Sequence, residues 1–294
     1  MWTETVSIQG PYNFDLVLER LSMDPLQAVN FQEKTVLVPL MIGNQRTVLH
    51  VQAAGSTAEP VFHVTALTEG EKGPSLDKLK KIFHWHMPLA DISEHFSRTD
   101  LQPVFEEHHG TPIVLDFDYF SCLAKCIIHQ QLNLSFAHTL TERFVKTYGT
   151  NVKGAWYYPA PERTAALTAE ELKALQFSGR KAEYVIGLSK EILSGNLDLE
   201  GLSHKSDQEI MDRLVKIRGI GRWTAENFLL FGLGRPNLFP KADIGIQNAL
   251  KQLYRLPQKP TEEEMETYSK AWSPFLSYAS LYLWRSIEKR SEKK

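Results

Sequence analysis

The chain has 294 residues, 43% of them hydrophobic and 23% charged, enough apolar material for a sizeable core in one to three domains. A formal net charge of −2 excludes a globally basic DNA-coating protein, so any nucleic-acid surface has to be a local patch. The two cysteines, Cys122 and Cys126, exclude a four-cysteine zinc or iron–sulfur site, and their spacing predicts buried free thiols on neighbouring turns of one helix.

The opening MWTETVSIQG has neither a basic n-region nor an apolar h-region, and no run is long enough to span a bilayer. The expectation is a cytoplasmic protein, nucleoid-associated if bacterial, without a membrane partner. FDLVLERL at 14 to 21 spaces its apolar residues as a short helix does. Two β-branched runs flank Gly43-Asn44 in TVLVPLMIGNQRTVLHVQ, a hairpin signal, and VFHVTAL at 61 to 67 predicts a further strand. Residues 1–74 are therefore expected to form an α/β domain with an antiparallel sheet, ending where glycine, proline and charge cluster in EGEKGPSLDK.

From about residue 75 the apolar period becomes helical. Phe120, Leu123 and Ile127 line one face, and Ala137, Leu140, Phe144 and Tyr148 the next. TAEE at 168, SDQE at 206 and TEEE at 261 each place a hydroxyl residue three before a glutamate, the spacing of a capping box. Ser273-Pro274 reads as an N-cap followed by proline at the first helical position. The rest of the chain is thus expected to be all-helical, closing on a charged, frayed tail, EKRSEKK.

LVKIRGIGRWTAENF, residues 214 to 228, predicts two helices packed through Ile210, Leu214 and Ile217 and through Ala225, Phe228 and Leu229, broken by Gly219 and Gly221. The first N–H groups of the second helix have no intrahelical partner and lie at the positive end of its dipole. Arg213, Lys216, Arg218 and Arg222 surround the break with no acid between 213 and 222, which suits the repeated phosphates of a nucleic-acid backbone. Glycine and charge alone fit a plain helix–turn–helix corner equally well. Asp243 directly precedes the apolar period of Ile246, Leu250 and Leu253, so by itself it reads as an N-cap.

The stretch LVKIRGIGRWTAENFLLFGLGRPNLFPKADIGI resembles the helix–hairpin–helix and following aspartate of the helix–hairpin–helix DNA glycosylase superfamily, 3-methyladenine-DNA glycosylase II branch. PYNFDLVLERL, IIHQQLNLSFA, YPAPERTAALTAEELKALQFSGRKAEYVIGLS and WSPFLSYASLYLW agree in order, so the similarity covers nearly the whole chain. The resemblance implies an α+β fold: the N-terminal domain, a helical subdomain of 75–118 with 236–294, and a second of 119–235 carrying the hairpin. It implies double-stranded DNA as partner, gripped by Gly219, Ile220, Gly221, Arg218, Arg222 and Thr224. It makes Asp243 the catalytic carboxylate and puts Trp223, Trp284, Arg285, Asn227 and Tyr12 around the base, with Arg20, Asn227 and Arg285 where the branch has aromatics.

Bifunctional members carry a lysine at the position of Trp223; an indole cannot form an imine, so base removal without strand cleavage follows. Gln131, with Leu132 beside it, matches the wedge that holds the duplex open. No metal or organic cofactor is required, a monovalent cation at hairpin carbonyls is compatible with the family, and His129 and the His84-Trp85-His86 run lack a metal-ligand constellation. A monomer is expected. A glycosylase for oxidised bases and a non-catalytic DNA-binding protein stand as alternatives.

Overall fold

The computed structural model describes residues 1–288; the remainder of the tail, 289–294, lies outside the described residues. Strands β1 (Thr3–Ser7), β2 (Val29–Asn30), β3 (Thr35–Ile42), β4 (Gln45–Ala53) and β5 (Val61–Ala66) form one antiparallel sheet in the order β1-β5-β4-β3-β2. The β3–β4 hairpin turns at Gly43-Asn44 with Ile42 opposite Gln45, as the two-residue signal predicts. Helix α1 (Phe14–Ser22) fills the connection between β1 and β2, capped by Asn13, whose side chain accepts from the Leu16 N–H.

The sheet does not have a core of its own. Phe62 stacks on Trp85 with ring centroids 4.6 Å apart, and Val36, Val38, Leu40, Leu49, Val51 and Val64 belong to the same buried cluster as α2 (Lys72–Ile82), α3 (Leu89–Phe96) and α4 (Gln102–Glu107). That cluster also takes in the C-terminal helices α13 (Ile244–Leu253), α14 (Glu262–Ser269) and α15 (Leu276–Ile287). The expected N-terminal domain and first helical subdomain therefore share one core, because the inner face of a five-stranded sheet has to be covered.

A second core joins α5 (Tyr119–His129), α6 (Leu134–Tyr148), α8 (Ala169–Ala174), α9 (Gly179–Leu193), α10 (Leu199–Leu202), α11 (Asp207–Leu214) and α12 (Arg222–Asn227), with α7 (Pro161–Ala165) packed on α9. All three capping boxes form, at Thr168/Glu171, Ser206/Glu209 and Thr261/Glu264. Cys122 and Cys126 are buried free thiols on α5. The fold is α+β, as expected.

Two local expectations need correcting. The segment after residue 75 is not all-helical: β6 (Thr150–Val152) and β7 (Ala155–Tyr157) make a short hairpin, and the Tyr157 hydroxyl donates to the Thr47 carbonyl, tying the second core to the sheet. Ser273-Pro274 does not start a helix. Helix α15 begins at Leu276, and its first free N–H groups are satisfied from the loop before α13: Leu276 N–H by Asn237 Oδ1 at 3.5 Å and Ser277 N–H by the Pro236 carbonyl at 3.0 Å. A tertiary cap has replaced the local one.

Candidate active site

Helix α11 ends at Leu214, three residues earlier than the apolar pattern suggests, and Ile217 lies in the turn. Gly219 there has φ +93°, and a Cβ on it would lie 2.2 Å from Tyr184 Cγ, so both backbone and packing demand glycine. Gly221 is different: its φ of −92° suits any residue, and a Cβ would meet nothing within 4 Å. The fold does not require that glycine, and its bareness leaves open space in front of α12. No side chain caps the first turn of α12, so N–H donors face that space.

The basic residues around the turn are partly engaged. Arg218 pairs with Glu183 at 2.9 Å and Arg222 with Glu226 at 2.8 Å, acids that the 213–222 window did not contain. Arg213 donates to the Asn196 carbonyl. Ile220 is buried in the second core, and Thr224, 1% exposed, has its hydroxyl taken by Gln130. Their side chains are not available to a ligand; the hairpin can offer backbone N–H groups and the exposed guanidinium groups.

From α12 the chain runs through a π-helical turn, Phe228–Gly232, and a loop to Asp243. That loop is anchored. Ser277 Oγ donates to the Arg235 carbonyl at 2.5 Å and accepts from Leu238 N–H, and Ser280 Oγ donates to the Leu238 carbonyl. Asp243 is the N-cap of α13, its Oδ1 accepting from Ile246 N–H at 3.0 Å. Trp284 Nε1, from α15, donates to the same oxygen at 2.9 Å, and Trp223 Nε1, from α12, donates to Oδ2 at 3.3 Å. Three N–H groups thus fix the carboxylate between two half-buried indoles, carried on helices that pack into different cores.

Residues 124–274 match the model of the HhH-GPD superfamily base excision DNA repair proteins. A protein of Bacillus subtilis strain 168, provisionally named DNA-3-methyladenine glycosylase YfjP, is 54% identical over 98% of this chain and all of its own length. The chain belongs to the HhH-GPD superfamily. Among solved structures, a 3-methyladenine DNA-glycosylase from Archaeoglobus fulgidus superposes with a TM-score of 0.85 over 97% of both chains at 23% identity. The Schizosaccharomyces pombe 3-methyladenine DNA glycosylase Mag1, solved with abasic DNA, is 27% identical with a TM-score of 0.61, covering 69% of this chain and 100% of its own.

In this superfamily member the other residues expected around the base are dispersed. Tyr12 is 2% exposed, its ring packed edge-on against Phe62 and its hydroxyl donating to the Phe83 carbonyl at 2.9 Å. It is a core residue of the sheet domain, because a buried phenol needs an internal partner and has found one. Arg285 is 9% exposed and bound at both ends, to Glu19 at 2.8 Å and Glu288 at 3.0 Å, so its guanidinium is committed to carboxylates. Asn227 is buried and donates its side-chain amide back to the Trp223 carbonyl at 2.8 Å, so that group is spent on the backbone of α12. The residue the sequence did not single out is Phe231. Its ring lies 5.8 Å from that of Trp284, and the Arg20 guanidinium sits 5.2 Å from its centroid.

At the end of α5, Gln131 is exposed with φ +56°, a left-handed conformation uncommon for a glutamine, whereas Leu132 packs into the second core. Of the expected wedge pair, Gln131 projects and Leu132 anchors.

Proposed function

We propose that the chain is a monofunctional DNA glycosylase that extrudes alkylated bases of the 3-methyladenine and 7-methylguanine type from duplex DNA and hydrolyses the N-glycosidic bond. The observation that carries this reading is the Asp243 carboxylate, held by Trp223, Trp284 and the Ile246 N–H between aromatic faces. An extruded base, electron-poor after alkylation, stacks on Trp223. As the bond from C1′ to the base nitrogen breaks, its electrons leave with the base, and the fixed carboxylate stabilises the positive charge on the sugar. The same carboxylate orients the water and takes its proton as the oxygen bonds to C1′, then returns that proton to solvent.

Lyase chemistry needs an amine at the sugar. Trp223 provides none, and Lys241, the lysine nearest Asp243 in sequence, is engaged by Glu262 and Glu266. The N–H groups of α12 and the Arg218 and Arg222 side chains grip phosphate, and Gln131 fills the gap left by the extruded nucleotide. The reaction requires no metal or organic cofactor. The hairpin carbonyls of Ile217 and Gly219 already accept one N–H each, and their second lone pairs suit a monovalent cation. The working unit in this reading is a monomer acting on chromosomal DNA in the cytoplasm.

The test is incubation with methylated genomic DNA and chromatographic detection of free bases, beside Asp243→Asn. Release of 3-methyladenine or 7-methylguanine by the wild type alone supports the reading. DNA binding without release of either assigns the chain to the non-catalytic alternative, and release of oxidised purines in their place to the oxidised-base alternative.

A further inference from the structure

The wedge turn and the phosphate hairpin lie in different segments of the chain, yet one side chain spans them. Gln130, at the C-cap of α5 and adjacent to Gln131, uses its amide Nε2 twice: to the Gly219 carbonyl at 2.8 Å and to Thr224 Oγ1 at 2.9 Å. The first acceptor is the left-handed glycine of the hairpin, and the second is in the first turn of α12. On its other side the Gln130 carbonyl accepts from Lys181 Nζ at 2.6 Å, and the same ammonium reaches the Ile127 carbonyl at 3.0 Å. Lys181 therefore occupies the exposed carbonyl end of α5, where a cation is favoured by the helix dipole.

Helix α9 supplies the backing for both elements. Lys181 holds the wedge turn, and one helical turn later Tyr184 lies under Gly219, with Arg218 Cζ 5.8 Å from its ring centroid. The links are shielded from water in part: Thr224 is buried, Gln130 and Lys181 are half-buried, and desolvation pulls the Lys181 pKa down from its usual value.

We propose that Gln130 and Lys181 are positioning residues that fix the distance between the phosphate-gripping hairpin and the Gln131 wedge, so that gripping the backbone places the wedge at the stack. The inference rests on the glycosylase reading above and adds the residues that couple its two DNA-contacting parts. Undamaged duplex, which keeps its stack closed, is held by the hairpin alone. A duplex with an opened site also receives the wedge, so loss of the coupling weakens binding to the second and spares the first.

The experiment measures affinity for two duplexes, one undamaged and one carrying a tetrahydrofuran abasic analogue, with 2-aminopurine opposite the analogue to report insertion. Gln130→Ala is expected to lose about tenfold in affinity for the abasic duplex, the scale of one net hydrogen bond, with undamaged binding and its salt slope unchanged within about twofold. The 2-aminopurine signal should fall with it. Gln130→Glu keeps the shape but not the N–H donors and should behave as alanine does. Thr224→Val removes one acceptor without changing volume and should give a smaller loss of the same kind, which covers the case in which Gln130→Ala fails to fold. Equal weakening on both duplexes, or full abasic preference in Gln130→Glu, overturns the proposal while leaving the glycosylase reading intact. A wild type that does not prefer the abasic duplex overturns both.

Discussion

Trp284 and Asp243 are 41 residues apart in sequence, and the indole N–H of the first donates to the carboxylate of the second at 2.9 Å. A Cβ on Gly245 would lie 2.9 Å from Trp284 Cδ1, so the first turn of α13 is pared back to admit the ring. Removing the donor while keeping an aromatic face, as in Trp284→Phe, should slow base release by about tenfold through loss of one charge-assisted hydrogen bond. Single-turnover rates with saturating enzyme are the measurement. An unchanged rate would show that Trp284 acts through its face alone.

Asp243 has two roles that substitution can separate. Asparagine keeps the oxygen that caps Ile246 but turns an NH2 toward the Trp223 N–H, so Asp243→Asn should cost about 1 kcal/mol of stability while base release drops by at least about a hundredfold. Asp243→Ala should lose the rate and a further ~1 kcal/mol of stability with the cap. Thermal melts beside release assays decide it; full activity in the asparagine variant would remove Asp243 from the chemistry.

The two hairpin glycines should respond differently. Gly219→Ala meets Tyr184 and a positive φ, and should destabilise the hairpin by at least ~1 kcal/mol. Gly221→Ala has room and ordinary dihedrals, so its stability should change by less than about 0.5 kcal/mol. Its methyl group would nevertheless stand in front of the α12 N–H groups and weaken DNA binding. Equal DNA affinity for Gly221→Ala and wild type would count against phosphate contact there.

The two arginines divide similarly. Arg218 pairs with the exposed Glu183, so Arg218→Ala should leave stability nearly unchanged and reduce the slope of log affinity against log salt by about 0.9. Arg222 pairs with Glu226, which is 9% exposed, and its loss leaves a buried carboxylate without a partner. Arg222→Ala should cost roughly 1 kcal/mol as well as lowering the slope. Titrations at several salt concentrations, with melts in parallel, test both halves.

Acid should destabilise the protein before its carboxylates protonate. Burial, reinforced by His86 and Lys81 around His84 and by Lys125, His138 and Lys181 around His129, pulls both imidazoles from 6.5 to about 3. In the unfolded chain they protonate as pH falls through about 6.5, and in the folded chain only near 3. Between those values the unfolded state binds more protons, so stability declines as pH drops, by roughly 1.4 kcal/mol per pH unit for each histidine. Urea unfolding at pH 7.5 and 5.5 should show the loss, and His129→Gln should shrink it.

Features with local causes could be read from the sequence. A two-residue turn at Gly43-Asn44 sets the β3–β4 register, and a hydroxyl three before a glutamate starts α8, α11 and α14, because those signals act within one turn of backbone. The Asp243 cap was legible for the same reason. Family resemblance added Trp223 and Trp284, both of which reach Asp243. Features that depend on partners distant in the chain emerged only on packing. Packing buried Tyr12 under the sheet, tied Arg285 to Glu19, and capped α15 from Asn237 and Pro236 in place of Ser273. It brought Phe231 to Trp284 and Gln130 to Gly219. Each of these depends on satisfying a buried polar group or covering an apolar face with whatever the packed cores bring near, and neither periodicity nor spacing encodes which neighbour that will be.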